Sequence, residues 1–195
     1  MSRLTWMLFP LATSSNLFSV TALLIFFGLT GKLELAADIA VVQGAALTVF
    51  LAFSGNTRNL LLSGSTKISF GQFARFRGLF VLPFGAAVYF LCKSISAVPD
   101  FLILVLILRR CVEWLAELIV TNREVAKDHA FARQYVLLQT IIFSVLLINE
   151  FVANEIYNIL FLFWAISPVL IGTRYFLRAF KAPFRERVLP VIGYI

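Results

Sequence analysis

The sequence predicts an all-α, polytopic membrane protein: a bundle of six transmembrane helices with both termini on the cytoplasmic side. Three observations carry that expectation. Of 195 residues, 61% are hydrophobic and only 14% are charged, where a soluble domain holds roughly 25% charged residues; the mean hydropathy is +0.92. The apolar residues gather into runs near the roughly 20 residues that a helix needs to cross a bilayer. The basic residues, finally, alternate between the polar breaks that separate those runs, as the positive-inside rule requires.

Six runs qualify, from about Leu4 to Leu29, Ala36 to Leu62, Phe76 to Ile95, Pro99 to Thr121, Phe131 to Phe151 and Ile156 to Leu177. One set of breaks holds Arg3, then Lys67, Arg75 and Arg77, then Arg123, Lys127 and Arg133, then Arg174, Arg178, Lys181, Arg185 and Arg187. The alternate set holds Lys32 and Lys93, beside Glu34, Asp38, Asp100, Glu150 and Glu155. Twelve basic residues against two place both termini in the cytoplasm. The net charge of +7 therefore reads as topology, with no call for nucleic acid.

The first span opens like a signal peptide, with Arg3 before a short apolar run and Ala12-Thr13-Ser14 after it. The apolar stretch resumes from Leu17 to Leu29, and the charge alternation needs it as a span. Thr13, Ser14, Ser15, Asn16 and Ser19 make it too polar for a lipid-facing helix. In the second span Ala40, Gly44, Thr48 and Ala52 recur every four residues, the pattern of a close helix-packing seam. It ends in Ser54-Gly-Asn56-Thr-Arg58-Asn59. Arg58 has no carboxylate nearby in sequence; either it snorkels to the head groups or it stands at a cavity mouth as a bidentate phosphate ligand.

Between spans two and three, Thr66 to Arg77 reads either as a short amphipathic helix in the head-group layer or as an ordinary basic loop. Pro83 and Pro168 are expected to kink their spans, and Pro99 to open the fourth. The segment Asn122 to Arg133 reads as a cytoplasmic loop of mixed sign, with His129 a solvated residue. No second ligand stands near it, so no metal is expected. In the fifth span Tyr135, Gln139 and Ser144 fall on one side. Cys92 and Cys111 lie in apolar runs without C-x-x-C spacing and read as small core residues. The stretch from Val188 to Ile195 turns apolar again but would span only about 12 Å as a helix. Residues 1–187 thus read as a six-helix unit, and 188–195 as the start of a seventh span.

The fourth span carries most of the chemistry. Arg109, Arg110, Glu113 and Glu117 stand in its middle at spacings of three and four, which puts them on one face. A centrally placed Arg costs roughly 2.5 to 3.5 kcal/mol, against about 0.3 to 0.6 returned by each Leu, Ile, Val or Phe. The charged face must therefore meet protein or water. Two readings stay open: a self-neutralising ladder that fixes helix packing, or the wall of a hydrated cavity, with Asn16, Ser19, Asn56 and Gln139 as further polar lining. No nucleotide-binding loop, nucleophile elbow or zinc-protease motif occurs. Neither an enzyme nor a cofactor is expected.

The residues resemble a known family. Ala37-Asp38-Ile39-Ala40 opening the second span, Phe76-Arg77-Gly78-Leu79-Phe80 with Pro83, and Arg109-Arg110-x-x-Glu113-Trp114-x-x-Glu117-Leu118 followed by Asn122-x-Glu124 look like the N-terminal half of polysaccharide flippases. These are the O-antigen and capsule exporters of the multidrug/oligosaccharidyl-lipid/polysaccharide superfamily. The resemblance implies one lobe of a two-lobe transporter in the bacterial inner membrane, moving a polyprenyl-diphosphate-linked oligosaccharide by ion-coupled alternating access. It implies a diphosphate-facing role for Arg58, Arg109 and Arg110; Glu113 and Glu117, carboxylates at depth beside arginines, are the candidates for ion coupling on their own chemistry. The implied partners are a lipid-linked glycan, membrane lipid, and a missing second lobe or a second copy of the chain. A non-transporting scaffold subunit, a membrane enzyme acting on lipid-linked sugars and the drug-exporting branch of the superfamily are the alternatives.

Overall fold

Seven helices and no strand make up the described residues of the computed structural model, which are 3–54, 57–64, 69–95, 97–152 and 157–181. In chain order they are α1 (Arg3–Leu29), α2 (Leu33–Ala52), α3 (Thr57–Ser63), α4 (Phe70–Ile95), α5 (Asp100–Val125), α6 (His129–Val152) and α7 (Tyr157–Lys181). Four stretches are long and apolar enough to cross a membrane: Met7–Leu29, Leu33–Ser63, Phe70–Ile95 and His129–Glu150. The charges in its centre set α5 apart from these, and the apolar stretch of α7, Asn158–Leu170, is shorter.

Local chemistry decides where the helices stop. Gly31, at φ +81°, ends α1 in a left-handed cap: Lys32 N–H reaches the carbonyl of Phe27 at 2.9 Å and Gly31 N–H that of Gly28 at 3.4 Å. The second apolar run is two helices, α2 and α3, parted after Phe53 and Ser54. Of the segment Thr66 to Arg77, residues 66–68 lie outside the described residues, and the rest is neither a separate short helix nor a loop. Ser69 and Gln72 form a reciprocal capping box, with Ser69 N–H donating to Gln72 Oε1 at 2.8 Å and Gln72 N–H to Ser69 Oγ at 3.3 Å. Phe70 to Arg77 is therefore the first two turns of α4, with Phe73, Ala74, Phe76 and Arg77 buried.

The expected loop from Asn122 to Arg133 shrinks to a three-residue turn. Lys127 takes the left-handed conformation at φ 55°. Asp128 N–H bonds the carbonyl of Arg123 at 2.9 Å, and the Asp128 carboxylate accepts the N–H of Phe131 at 3.1 Å, capping α6. His129 is thus the first residue of a helix, part-buried with its ring 5.3 Å from Phe9, and not a solvated loop side chain.

The centre of the bundle is α5, which touches all six other helices. Trp114 of α5 anchors the larger core, with the rings of Phe50, Phe84 and Phe76 at 5.3, 5.6 and 6.4 Å. A smaller core joins Phe9 of α1 to Ala116 and Val120 of α5 and Phe131 and Tyr135 of α6. Gly172 lets α7 lie against α5, since a β-carbon there would come within 2.5 Å of Ile119 Cδ1. The polarity is inverted relative to a soluble protein. Leu29, Leu82 and Phe90 are 84%, 79% and 70% exposed, while Arg77, Arg109 and Glu113 are among the most buried side chains. The exterior suits hydrocarbon and the interior holds the charge.

Candidate functional site

The charged face of α5 divides into three parts, because successive residues of a helix point about 100° apart. Arg109 turns into the bundle, Arg110 turns toward a cavity beside α1 and α2, and Glu113 and Glu117 follow one and two turns on.

Arg109 is fully enclosed, with all three guanidinium nitrogens engaged. Nε donates to Glu113 Oε1 at 2.6 Å. Nη1 donates to the Trp164 carbonyl at 2.6 Å, Ser167 Oγ at 3.1 Å and Gln139 Oε1 at 3.3 Å. Nη2 donates to Asn16 Oδ1, Ser19 Oγ and Gln139 Oε1, each at 3.3 Å. The guanidinium also lies over the Trp164 ring, 4.4 Å from its centroid. Tyr135 adds a donor to Asn16 Oδ1 at 3.1 Å. Asn16, Ser19 and Gln139, expected to line a cavity, close around Arg109 and tie α1, α5, α6 and α7 together; of the three, Asn16 also lines a cavity. Ser144, expected on the same side as Gln139, is exposed, and Asn56 lies outside the described residues, as do 188–195.

Why Trp164 has a carbonyl to offer is a matter of sequence. Pro168 lacks the N–H that would bond back to residue 164, so that carbonyl is left to other donors inside the bundle, Ser167 Oγ at 2.8 Å and Arg109 Nη1. Most other hydroxyls bond their own helix, as Thr13 does to Phe9, Ser14 to Pro10 and Thr140 to Val136.

Arg110 is placed differently. Its one ion pair is a long one, Nη1 to Glu113 Oε2 at 3.4 Å, and its buried Nε has no partner among the described residues. It lines a cavity of about 180 Å³ between α1, α2 and α5, together with Thr13, Asn16 and Leu17 of α1, Leu47 and Leu51 of α2, and Glu113 and Glu117.

No protein-family model, curated protein or solved structure matches the chain. The residues themselves must carry the functional reading.

Sequence reasoning missed Arg77, counted there among the loop cations. It is only 1% exposed, donates through Nη1 to the Trp114 carbonyl and, at 3.1 Å, to Glu117 Oε2, and lies 5.0 Å from the centre of the Trp114 ring. The signal was the phase of Phe73, Phe76 and Arg77 with the rest of α4. Its inclusion changes the charge count. The interior holds Arg77, Arg109 and Arg110 against Glu113 and Glu117, so the cluster is no longer self-neutralising but carries one excess positive charge.

Arg58 has a partner that is distant in sequence. Its Nε and Nη2 clasp both oxygens of Glu124 at 2.9 and 2.6 Å, a fork that binds α3 to the end of α5. Neither snorkelling nor an open phosphate site describes that geometry. Among the described residues no three His, Cys, Asp or Glu side chains gather into a metal-holding group, and neither cysteine forms a disulfide.

Proposed function

We propose that the chain is a six-span lobe of a bacterial inner-membrane flippase, with both termini cytoplasmic, that moves a lipid-linked oligosaccharide by alternating access and without covalent chemistry. The observation that supports this reading best is Arg110, a guanidinium with one 3.4 Å ion pair and an Nε without a partner among the described residues, beside a cavity inside the bundle. An anionic head group entering the cavity competes for Arg110 with Glu113, which Arg109 pairs, and passes Glu117, which Arg77 pairs. The diphosphate-facing role passes from Arg109, whose nitrogens are all held, and from Arg58, clasped by Glu124, to Arg110.

The two carboxylates differ in the same way. Both oxygens of Glu113 face arginines, whereas Glu117 is 30% exposed and engages Arg77 through Oε2 alone. Glu117 therefore has an oxygen to offer a coupling ion. A cavity of about 180 Å³ suits a head group and not a whole glycan, so the glycan needs a facing surface from a second lobe or a second copy. The excess positive charge speaks against the cationic cargo of the drug-exporting branch.

The test is flux of lipid-linked glycan, by complementation with the full-length gene or in vesicles. Arg110→Ala should weaken the anion by roughly tenfold or more and abolish flux, while Arg110→Lys keeps part of it; unchanged flux in Arg110→Ala removes the proposal. A non-transporting scaffold is the second reading, favoured by the saturation of Arg109, whose bonds hold helices together and leave nothing over for a ligand.

A further inference from the structure

A second cavity, of about 590 Å³, lies between α4 and α5 and shares no residue with the charged pocket. Its lining is apolar apart from Tyr89 and Cys111. Gly85 brings the two helices together at its floor, where a β-carbon would lie 3.3 Å from Ile107 and 3.4 Å from Cys111. Leu82, Phe90 and Leu104 stand exposed along its rims. The groove follows Val81 to Phe90 on α4 and Leu104 to Leu115 on α5, which at 1.5 Å per residue is about 14 to 16 Å. That is the depth of one leaflet of a hydrocarbon core roughly 30 Å thick.

The end of the groove is polar. One helical turn beyond Tyr89 and Leu104, Lys93 Nζ lies 2.9 Å from Asp100 Oδ1, and Tyr89 donates to the same oxygen at 3.1 Å. Lys93 and Asp100 are 41% and 60% exposed, open to whatever surrounds the α4–α5 turn.

We infer that this groove seats one acyl chain of a membrane phospholipid whose head group carries both a phosphate and a primary ammonium, the phosphate meeting Lys93 and the ammonium meeting Asp100. Length and charge argue for this occupant together. A partner's transmembrane helix is 10 to 12 Å wide and needs about 30 Å of wall, twice what the groove offers. A choline head group has no N–H for Asp100, and a glycerol head group has no cation. The site requires only a bilayer around the helices, on whichever side the turn faces, and no transport cycle.

Native mass spectrometry of the full chain reads occupancy directly, with isotopically distinct phosphatidylethanolamine, phosphatidylcholine and phosphatidylglycerol supplied in equal amounts. The wild-type chain should retain one phosphatidylethanolamine about threefold over the other two, the scale of an exposed ion pair. Ala86→Phe, at an exposed position of the groove, should abolish retention of all three. Asp100→Asn should keep a lipid and lose the preference. Circular dichroism confirms that both variants keep their helices. Equal retention of the three lipids by the wild type, or undiminished phosphatidylethanolamine on Ala86→Phe, overturns the inference and leaves the role of Arg110 untouched.

Discussion

Pro168 has no N–H to give the carbonyl of Trp164 one turn earlier, and Arg109 of α5 takes that carbonyl at 2.6 Å through Nη1. The carbonyl also accepts from Ser167 Oγ at 2.8 Å, so the gap in the hydrogen bonding of α7 is filled both from its own helix and by a cation from its neighbour. The proline and the buried arginine act together, since a carbonyl left unbonded is costly in an apolar interior.

That relationship predicts coupling between the two residues. Stabilities of Arg109→Gln, Pro168→Ala and the double variant, measured by unfolding in detergent, should depart from additivity by about 1 kcal/mol or more. Additive changes would mean that the carbonyl satisfies itself without Arg109.

Neighbouring arginines should behave in opposite ways. Arg109→Ala leaves Glu113 with only the long contact to Arg110, and Gln139 and the Trp164 carbonyl with Ser167 Oγ alone; breaking such a buried pair costs about 3 to 5 kcal/mol. Arg110→Ala removes one long contact and should cost less than about 1 kcal/mol. Melting temperatures of the purified variants check the order; equal losses would place both residues in the packing network.

Arg58 and Glu124 should tolerate exchange. The single variants Arg58→Glu and Glu124→Arg each set like charges against each other, and the double exchange restores the pair between α3 and α5. A recovery of about 1 kcal/mol fits a part-buried fork. No recovery would show that the pair does not hold α3 in place.

The turn between α5 and α6 offers a change in each direction. Lys127→Gly relieves a left-handed residue with a side chain and should stabilise by about 0.5 to 1 kcal/mol. Asp128→Ala removes the cap on Phe131 N–H and should cost about 1 kcal/mol. Thermal unfolding of the two variants should move in opposite senses.

These residues also show what was legible in the sequence. Composition announced an all-helical, membrane-type chain, and the three- and four-residue spacing placed charge on one face of α5. The polar residues Asn16, Ser19 and Gln139 belonged with that charge, gathered around Arg109, and Asn16 also lines the cavity beside Arg110. Long-range pairing was invisible: Arg58 with Glu124 and Arg77 with Glu117 join helices that no local pattern connects. The Trp164 acceptor is a backbone atom, so side-chain patterns carry no trace of it. Boundaries were lost where short-range hydrogen bonds override composition, at the Ser69–Gln72 box and the Lys127–Asp128 turn.

The central position of α5 bears on how the protein is made. When Arg109 leaves the ribosome, Asn16 and Ser19 are already synthesised, but Gln139, Trp164 and Ser167 are not, and these belong to α6 and α7. A helix with four central charges does not partition alone into lipid. Until α6 and α7 are made, the Arg109 guanidinium therefore lacks three of the side-chain and backbone acceptors that enclose it. α7 is the clasp that completes that enclosure.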